Sequence, residues 1–228
     1  MAQEIAQQIK SLSIKDAFIV PPKPLATPVI VVADLESGSL EPDAAIFTLS
    51  GVAVDVETGC ILGERYWLVD HGGDNACRRI DADTMEFWER VKRQQPEAYT
   101  EAFDHSLPRL PLGCVMQEFC DWSREFYAPG QAVELLGNGV DFDNAVMAHA
   151  CNQLGIEKSW AHYSNQQLHT MVWMHRLITG RDYKREIPFD GVPHISRDDA
   201  RHEAKVVSRI IEDFYVMCSI AKEHGWTV

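Results

Sequence analysis

The sequence predicts an α/β domain built on a mixed β-sheet flanked by helices, and three features carry that expectation. An unbroken apolar run, Val29 to Ala33, reads as a strand buried on both faces. Two more strand-like runs follow it through short connections, as in an antiparallel three-strand meander. Beyond them, apolar residues recur at helical spacing, interrupted by one further strand-like run from Val133 that gives the sheet its parallel part.

Taken in order, residues 2 to about 18 read as a short amphipathic helix on Ile5, Ile9, Leu12 and Ile14. PPKPLATP, from Pro21 to Pro28, lacks the N–H groups that a helix or central strand needs and reads as an extended linker. Residues 1–28 are therefore an appendage, and residues 29–228 the folded domain. Ala44 to Val56 is the second strand, Glu57 to Gly59 a turn, and Cys60 to Asp70 the third strand. Asp83 or Thr84 is placed to cap the helix TMEFWERVKRQ. Pro96 opens another helix, and Leu112 to Phe126 continues the helical pattern. VELLGNG is the fourth strand and its turn. DFDNAVMAHACNQLG is a helix ending near Gly155, and Gln166 to Thr179 one closed by Gly180. The last helix starts near Asp198 and runs towards Gly225, with an apolar stripe from Val206 to Ala221.

Composition narrows the function. The chain has 228 residues, 46% hydrophobic and 24% charged, an ordinary globular balance. No uninterrupted apolar stretch of about 18 residues is present, so no membrane span is expected. The first 16 residues, MAQEIAQQIKSLSIKD, lack the apolar segment of a secretory signal. Cys60, Cys77, Cys114, Cys120, Cys151 and Cys218 form no CxxC pair, which argues against a zinc site and for free thiols in a reducing cytoplasm. A net charge of −13 speaks against a protein that coats nucleic acid through released counterions. It is compatible with an enzyme that grips one chain end through bound cations.

Three segments carry chemistry. Asp34 and Glu36 leave the end of the first strand two residues apart, so both carboxylates point to one side. A divalent cation would relieve their repulsion; a solvated turn would do so too. Asp143 stands where a strand passes into a helix, as a ligand at the sheet's carboxyl end or as a cap, alongside Asp141 and Asn144. His194 precedes Asp199 by five residues, a base-capable loop residue before a carboxylate fixed on a helix. Asp141 and Asp198 read as caps. His149, His175 and His202 lie on helices, outside the chemistry.

In this order the segments resemble the three motifs of the DEDDh exonucleases, members of the DnaQ-like, ribonuclease H-like superfamily. The DxE motif is Asp34-Leu35-Glu36, the N-x-x-F-D type runs from Asn138 to Asp143, and H-x4-D runs from His194 to Asp199. The likeness spans about Val29 to Ile220. The flanks are similar to a subgroup of single-domain 3′–5′ exonucleases of the phage DexA and mycobacterial exoribonuclease types. Its pattern DLETLGTxPDAVILSIGAVAFD aligns without gaps to DLESGSLEPDAAIFTLSGVAVD here, and its T-x-x-x-W-like signal corresponds to Thr84 through Trp88. Ser37 stands for the subgroup's usual Thr, and Gly38-Ser39 for its Leu-Gly. In the segment SNQQLHT, Gln166 and His169 replace its arginines and Gln167 its Asp, which changes the phosphate contacts.

The resemblance implies a ribonuclease H-like fold and metal-dependent 3′–5′ exonuclease activity, hydrolysing phosphodiester bonds at 3′ ends of DNA or RNA to release nucleoside monophosphates. It implies two divalent ions, Mg²⁺ or Mn²⁺, as suits an all-carboxylate site. Asp34 would bridge them, Glu36 and Asp199 would complete the nucleophile-side ion, and Asp143 would support the second. His194 would be general base, while Leu35, Ser37, Asn138, Phe87 and Trp88 would line the substrate site. The implied partner is a single-stranded 3′ end; a homodimer and the choice of DNA or RNA stay open. Alternatives are a non-catalytic 3′-end-binding module on the same fold and an interaction protein that uses its N-terminal arm. A ribonuclease H-like endonuclease would lack the H-x4-D motif.

Overall fold

Five strands, seven α-helices and two single-turn 3-10 helices, Gly73–Asn75 and His162–Ser164, make up the regular structure of residues 28–225, the part of the chain that the computed structural model describes. The helix expected over residues 2–18 and nearly all of the proline linker lie outside these residues. Strands β1 (Val29–Ser37), β2 (Ile46–Asp55), β3 (Cys60–Leu68), β4 (Leu135–Gly137) and β5 (Asn165–Gln167) form one sheet in the order β3-β2-β1-β4-β5. The first three pair antiparallel, and β4 joins β1, and β5 joins β4, in parallel. The helices are α1 (Ala82–Gln94), α2 (Pro96–Phe103), α3 (Leu112–Arg124), α4 (Asp143–Leu154), α5 (Leu168–Thr179), α6 (Tyr183–Glu186) and α7 (Ser196–Glu223). The mixed sheet flanked by helices is the fold class that the sequence predicts. No helix among the described residues is long and apolar enough to cross a membrane.

The unbroken apolar run of β1 has a simple cause. Successive side chains of a strand point to opposite faces, and both faces of this sheet are covered. Val29, Val31, Ala33 and Leu35 join the core built with Phe119 of α3 and Val146 and Met147 of α4. Ile30 and Val32 join the opposite core, with Leu168 of α5 and Ala200, Ala204 and Val207 of α7. Asp34 and Glu36 continue the Ile30–Val32 row and so emerge on the α7 side. The sequence places both carboxylates on one side; the packing shows which element faces them.

Three expectations need correction. A helix from Gln166 is replaced by β5, and α5 begins only at Leu168. The triplet Asn165–Gln167 has no apolar alternation; pairing with Leu135–Gly137 makes it a strand, and Gln166 donates to the Glu134 carboxylate at 2.8 Å. Neither Asp83 nor Thr84 caps α1: the N-cap residue is Asp81, and its carboxylate accepts from the Ser39 hydroxyl at 2.6 Å instead of from a helix N–H. Nor do Asp141 and Asp198 act as caps, since Phe142 and Ile195 occupy those positions. The glycine closures hold, with Gly155 at φ 66° and Gly180 at φ 76°.

The far half of α7 is tied down by Asp213. Its carboxylate accepts from the Tyr183 hydroxyl at 2.6 Å and from buried His175 Nε2 at 3.0 Å, linking α7 to α6 and α5. Burial raises the Asp213 pKa, but these hydrogen bonds outweigh it and hold the carboxyl below its ordinary value. A depressed folded pKa contributes stability above the unfolded value and loses it as pH falls through the folded one. Asp213→Ala, which leaves Tyr183 and His175 without their acceptor, should therefore cost about 1.5–3 kcal/mol at pH 7. The gap from the parent should narrow below about pH 4. Urea unfolding at both pH values measures it.

Candidate active site

The carboxylates of Asp34, Glu36 and Asp199 come together, each offering an oxygen within 4.8 Å of the others. Asp34 and Glu36 sit on β1, while Asp199 is in the first turn of α7. What brings the two elements into register is a pair of hydroxyls on β2. Thr48 lies opposite Glu36 and Ser50 opposite Asp34 in the β1–β2 ladder. The Thr48 hydroxyl is 3.0 Å from that of Ser196, and the Ser50 hydroxyl donates to the Ser196 carbonyl at 2.6 Å. Ser196 opens α7, so the helix start is bolted to the sheet three residues before Asp199.

Asp143, in the first turn of α4, is the one expected ligand that stands outside this close trio. It is 1% exposed, and its Oδ2 accepts from the backbone N–H groups of Asn138 at 3.0 Å and Gly139 at 3.4 Å. The carboxylate thus turns back onto the β4–α4 loop. Gly137 leaves room for this: a Cβ there would stand 2.2 Å from Asn144 Oδ1 and 2.9 Å from Asp143 Cβ.

The loop before α7 hangs from two adjacent carboxylates. Asp198 Oδ2 accepts from the N–H of Val192 at 3.0 Å, and Asp199 Oδ2 from the N–H of His194 at 2.7 Å. Arg197 and Arg201 pair with Asp198 at 3.2 and 3.6 Å. His194 has φ 69°, the one positive φ of a non-glycine among the described residues. Such a conformation is uncommon outside glycine and marks a constrained position. Its ring stands edge-on to Phe87 at 5.1 Å.

Electrostatics follow from crowding in a low-dielectric pocket. Asp34 keeps some surface towards the cavity, yet burial, then the charges of Glu203, Asp143, Glu36 and Asp199, push its pKa well above the ordinary range. Burial and Asp199 do the same to Glu36. Burial raises Asp143 and Asp199 to about 6 each, against the pull of their backbone hydrogen bonds. Burial lowers the His194 pKa, which favours the neutral imidazole. Buried carboxylates that resist ionisation, all with oxygen donors, suit a hard divalent cation.

Two adjoining cavities surround this cluster. One, of about 650 Å³, is lined by Asp34, Glu36, Asn138, His194 and Asp199. Its wall also carries Arg176, Lys184 and Arg185. The second, of about 350 Å³, is lined by Leu35, Glu36, Ser37, Phe87, Trp88 and Phe142, a mostly apolar slot beside Glu36. All the substrate-lining residues expected from the sequence therefore border one cavity or the other. Trp88 is itself core, 1% exposed, with its indole N–H donating to the Ser37 carbonyl at 2.9 Å. Sequence reasoning missed Arg176, Lys184, Arg185 and Glu203. It also set aside His202, which lines the larger cavity. The signal for Glu203 was its spacing, one turn beyond Asp199 on the same helix face.

Comparison with known proteins gives a family and a fold. The sequence model of one family, described as 3′–5′ exoribonuclease Rv2179c-like domain, matches residues 30–211. No curated protein matches the chain. Among solved structures, the nuclease domain of 3′hExo, a DEDDh family member bound to rAMP, superposes with a TM-score of 0.56 at 14% identity, covering 83% of this chain and 94% of that one. Cell-death related nuclease 4 gives 0.57 at 15%, covering 82% and 64%. The zinc-bound E. coli ExoI–ssDNA complex gives 0.50 at 12%, covering 82% and 40%. At these identities the likeness is one of fold.

The loop geometry makes a prediction about Gly191. It has φ 128°, and a Cβ there would lie 2.6 Å from Asp198 Cγ. Gly191→Ala should lose about 1–3 kcal/mol of stability through backbone strain and displacement of Asp198. Chemical denaturation of the two proteins checks this; equal midpoints would mean that the loop shifts at no cost.

Proposed function

The chain belongs to the family of 3′–5′ exoribonuclease Rv2179c-like domains, and from that premise we propose that it is a divalent-metal-dependent enzyme that removes nucleoside monophosphates from 3′ ends of single-stranded nucleic acid. The observation that carries the reading is the convergence of Asp34, Glu36 and Asp199 within 4.8 Å at a cavity that His194 also lines. On this reading residues 29–228 are the exonuclease unit, kin to the phage DexA type through the DLES segment. Its six free cysteines suit a reducing cytoplasm.

Asp34, Glu36, Asp199 and Asp143 would hold two ions, Mg²⁺ or Mn²⁺. Such ions supply Lewis-acid polarisation of a phosphoryl group and acidify water. The protein's own residues do the rest. His194 takes a proton from the attacking water, its backbone held by the Asp199 tether and its ring set against the Phe87 edge. The slot between Leu35, Phe87 and Phe142 accepts the terminal nucleoside, with Ser37 at its edge. Asn138, whose Oδ1 accepts from Lys184, orients the scissile end. Arg176, Lys184 and Arg185 provide the cationic phosphate contacts that Gln166 and His169 do not. Trp173, 55% exposed on the same cavity wall, offers a face for base stacking.

The test uses 5′-labelled DNA and RNA, linear and circular, with Mg²⁺ or Mn²⁺. Linear strands should shorten one nucleotide at a time, circles should survive, and chelation or Asp34→Asn should stop the reaction. Rapid cutting of a circle would overturn the assignment in favour of an endonuclease. Comparing DNA with RNA ladders settles the sugar preference.

A second expectation concerns His194. Asn tolerates the left-handed backbone, so His194→Asn should fold and bind metal as the parent does. Its turnover should fall by about 10²–10⁴-fold. Parental turnover with a lower melting temperature would make His194 a structural residue instead.

A further inference from the structure

A fifth carboxylate lies in this site outside the family motifs. Glu203 follows Asp199 by four residues on α7, and so shares its helix face. It is 3% exposed, lines the larger cavity, and its Oε2 has no hydrogen-bond partner. Its helix neighbours on the sheet-facing side, Ala200, Ala204 and Val207, are apolar. Buried polar atoms are nearly always paired, and a lone buried carboxylate oxygen is costly. Lys184 acts on Glu203 through its charge, but its ammonium hydrogen-bonds to Asn138 and His169.

The arrangement suggests what the oxygen awaits. Asp34, Glu36, Asp199 and Glu203 all line the larger cavity. With Glu36 and Asp199, Asp34 forms the close trio. Glu203 lies outside that trio, but its charge, like that of Asp143, acts on Asp34. Of these two, Asp143 has one oxygen committed to backbone amides and does not border the cavity, whereas Glu203 does.

We propose that Glu203 is a fifth acidic ligand of the site, holding the second divalent cation together with Asp34. This inference rests on the metal-dependent reading above. The experiment is a Mn²⁺ titration of the metal-stripped full-length chain, followed by calorimetry and by electron paramagnetic resonance. The parent should take two ions and show a spin-coupled pair at saturation. Glu203→Gln keeps the shape and removes the charge. It should retain one ion, bind the second at least tenfold more weakly, and show the six-line spectrum of an isolated ion. Its metal-free melting temperature should not fall, because an uncompensated charge has left the interior. If it does not fold, Glu203→Asp, which retracts the carboxylate by one methylene, should show the same weakening. Two ions bound with parental affinity by either variant would overturn the proposal while leaving the exonuclease reading intact. A parent that takes up no Mn²⁺ would instead overturn both.

Discussion

The grip of β2 on the start of α7 is the interaction on which the rest of the site depends. Thr48 and Ser50 are the two hydroxyls of β2, and both bind Ser196. Because they also stand opposite Glu36 and Asp34, one set of contacts fixes the sheet register and the helix position together. Asp199 then meets the strand carboxylates, and Glu203 follows one turn later. A slip of one residue between β1 and β2 would turn Asp34 and Glu36 towards the α3–α4 core, where no cation could reach them.

This grip is what the molecule needs to hold mutually repelling groups in place. Two tethers oppose the repulsion locally: backbone N–H groups on Asp143, and the His194 N–H on Asp199. These are fixed dipoles that favour ionised oxygens without neutralising them. The two hydrophobic layers, above and below β1, supply the rigidity. The acidic balance of the chain, −13, is thus partly local, with the cationic residues Arg176, Lys184 and Arg185 gathered on the cavity wall.

Most of the architecture was legible in the sequence because its cause is local. A buried central strand must be apolar throughout, and VIVVA is. The meander shows in its turns, and α4 and α5 end at glycines that adopt the left-handed conformation. The motif carboxylates were legible through their order along the chain. What escaped is what tertiary contact decides. Asn165–Gln167 is a strand only because β4 lies beside it. Asp81 and Asp198 have the composition of caps, but Ser39 in one case and the Val192 amide in the other claim their oxygens. Lys184 and Arg185 sit on a four-residue helix with no periodicity to read. Thr48 and Ser50 left a faint trace, as two polar residues at alternate positions of an apolar run. Glu203 left one too, at helical spacing from Asp199. Both mean little until the facing element is known.

The neighbouring acids Asp198 and Asp199 also explain why the distance between His194 and Asp199 is a fixed quantity. The bond from the His194 amide to the Asp199 side chain closes a small ring across the loop, and the Val192–Asp198 bond closes a second one beside it. Two interlocked rings admit no slack. An added residue would break both closures at once, and a deleted one would pull the helix start away from Ser50. The spacing is in effect a bond-length constraint written into the chain, independent of what the imidazole does afterwards.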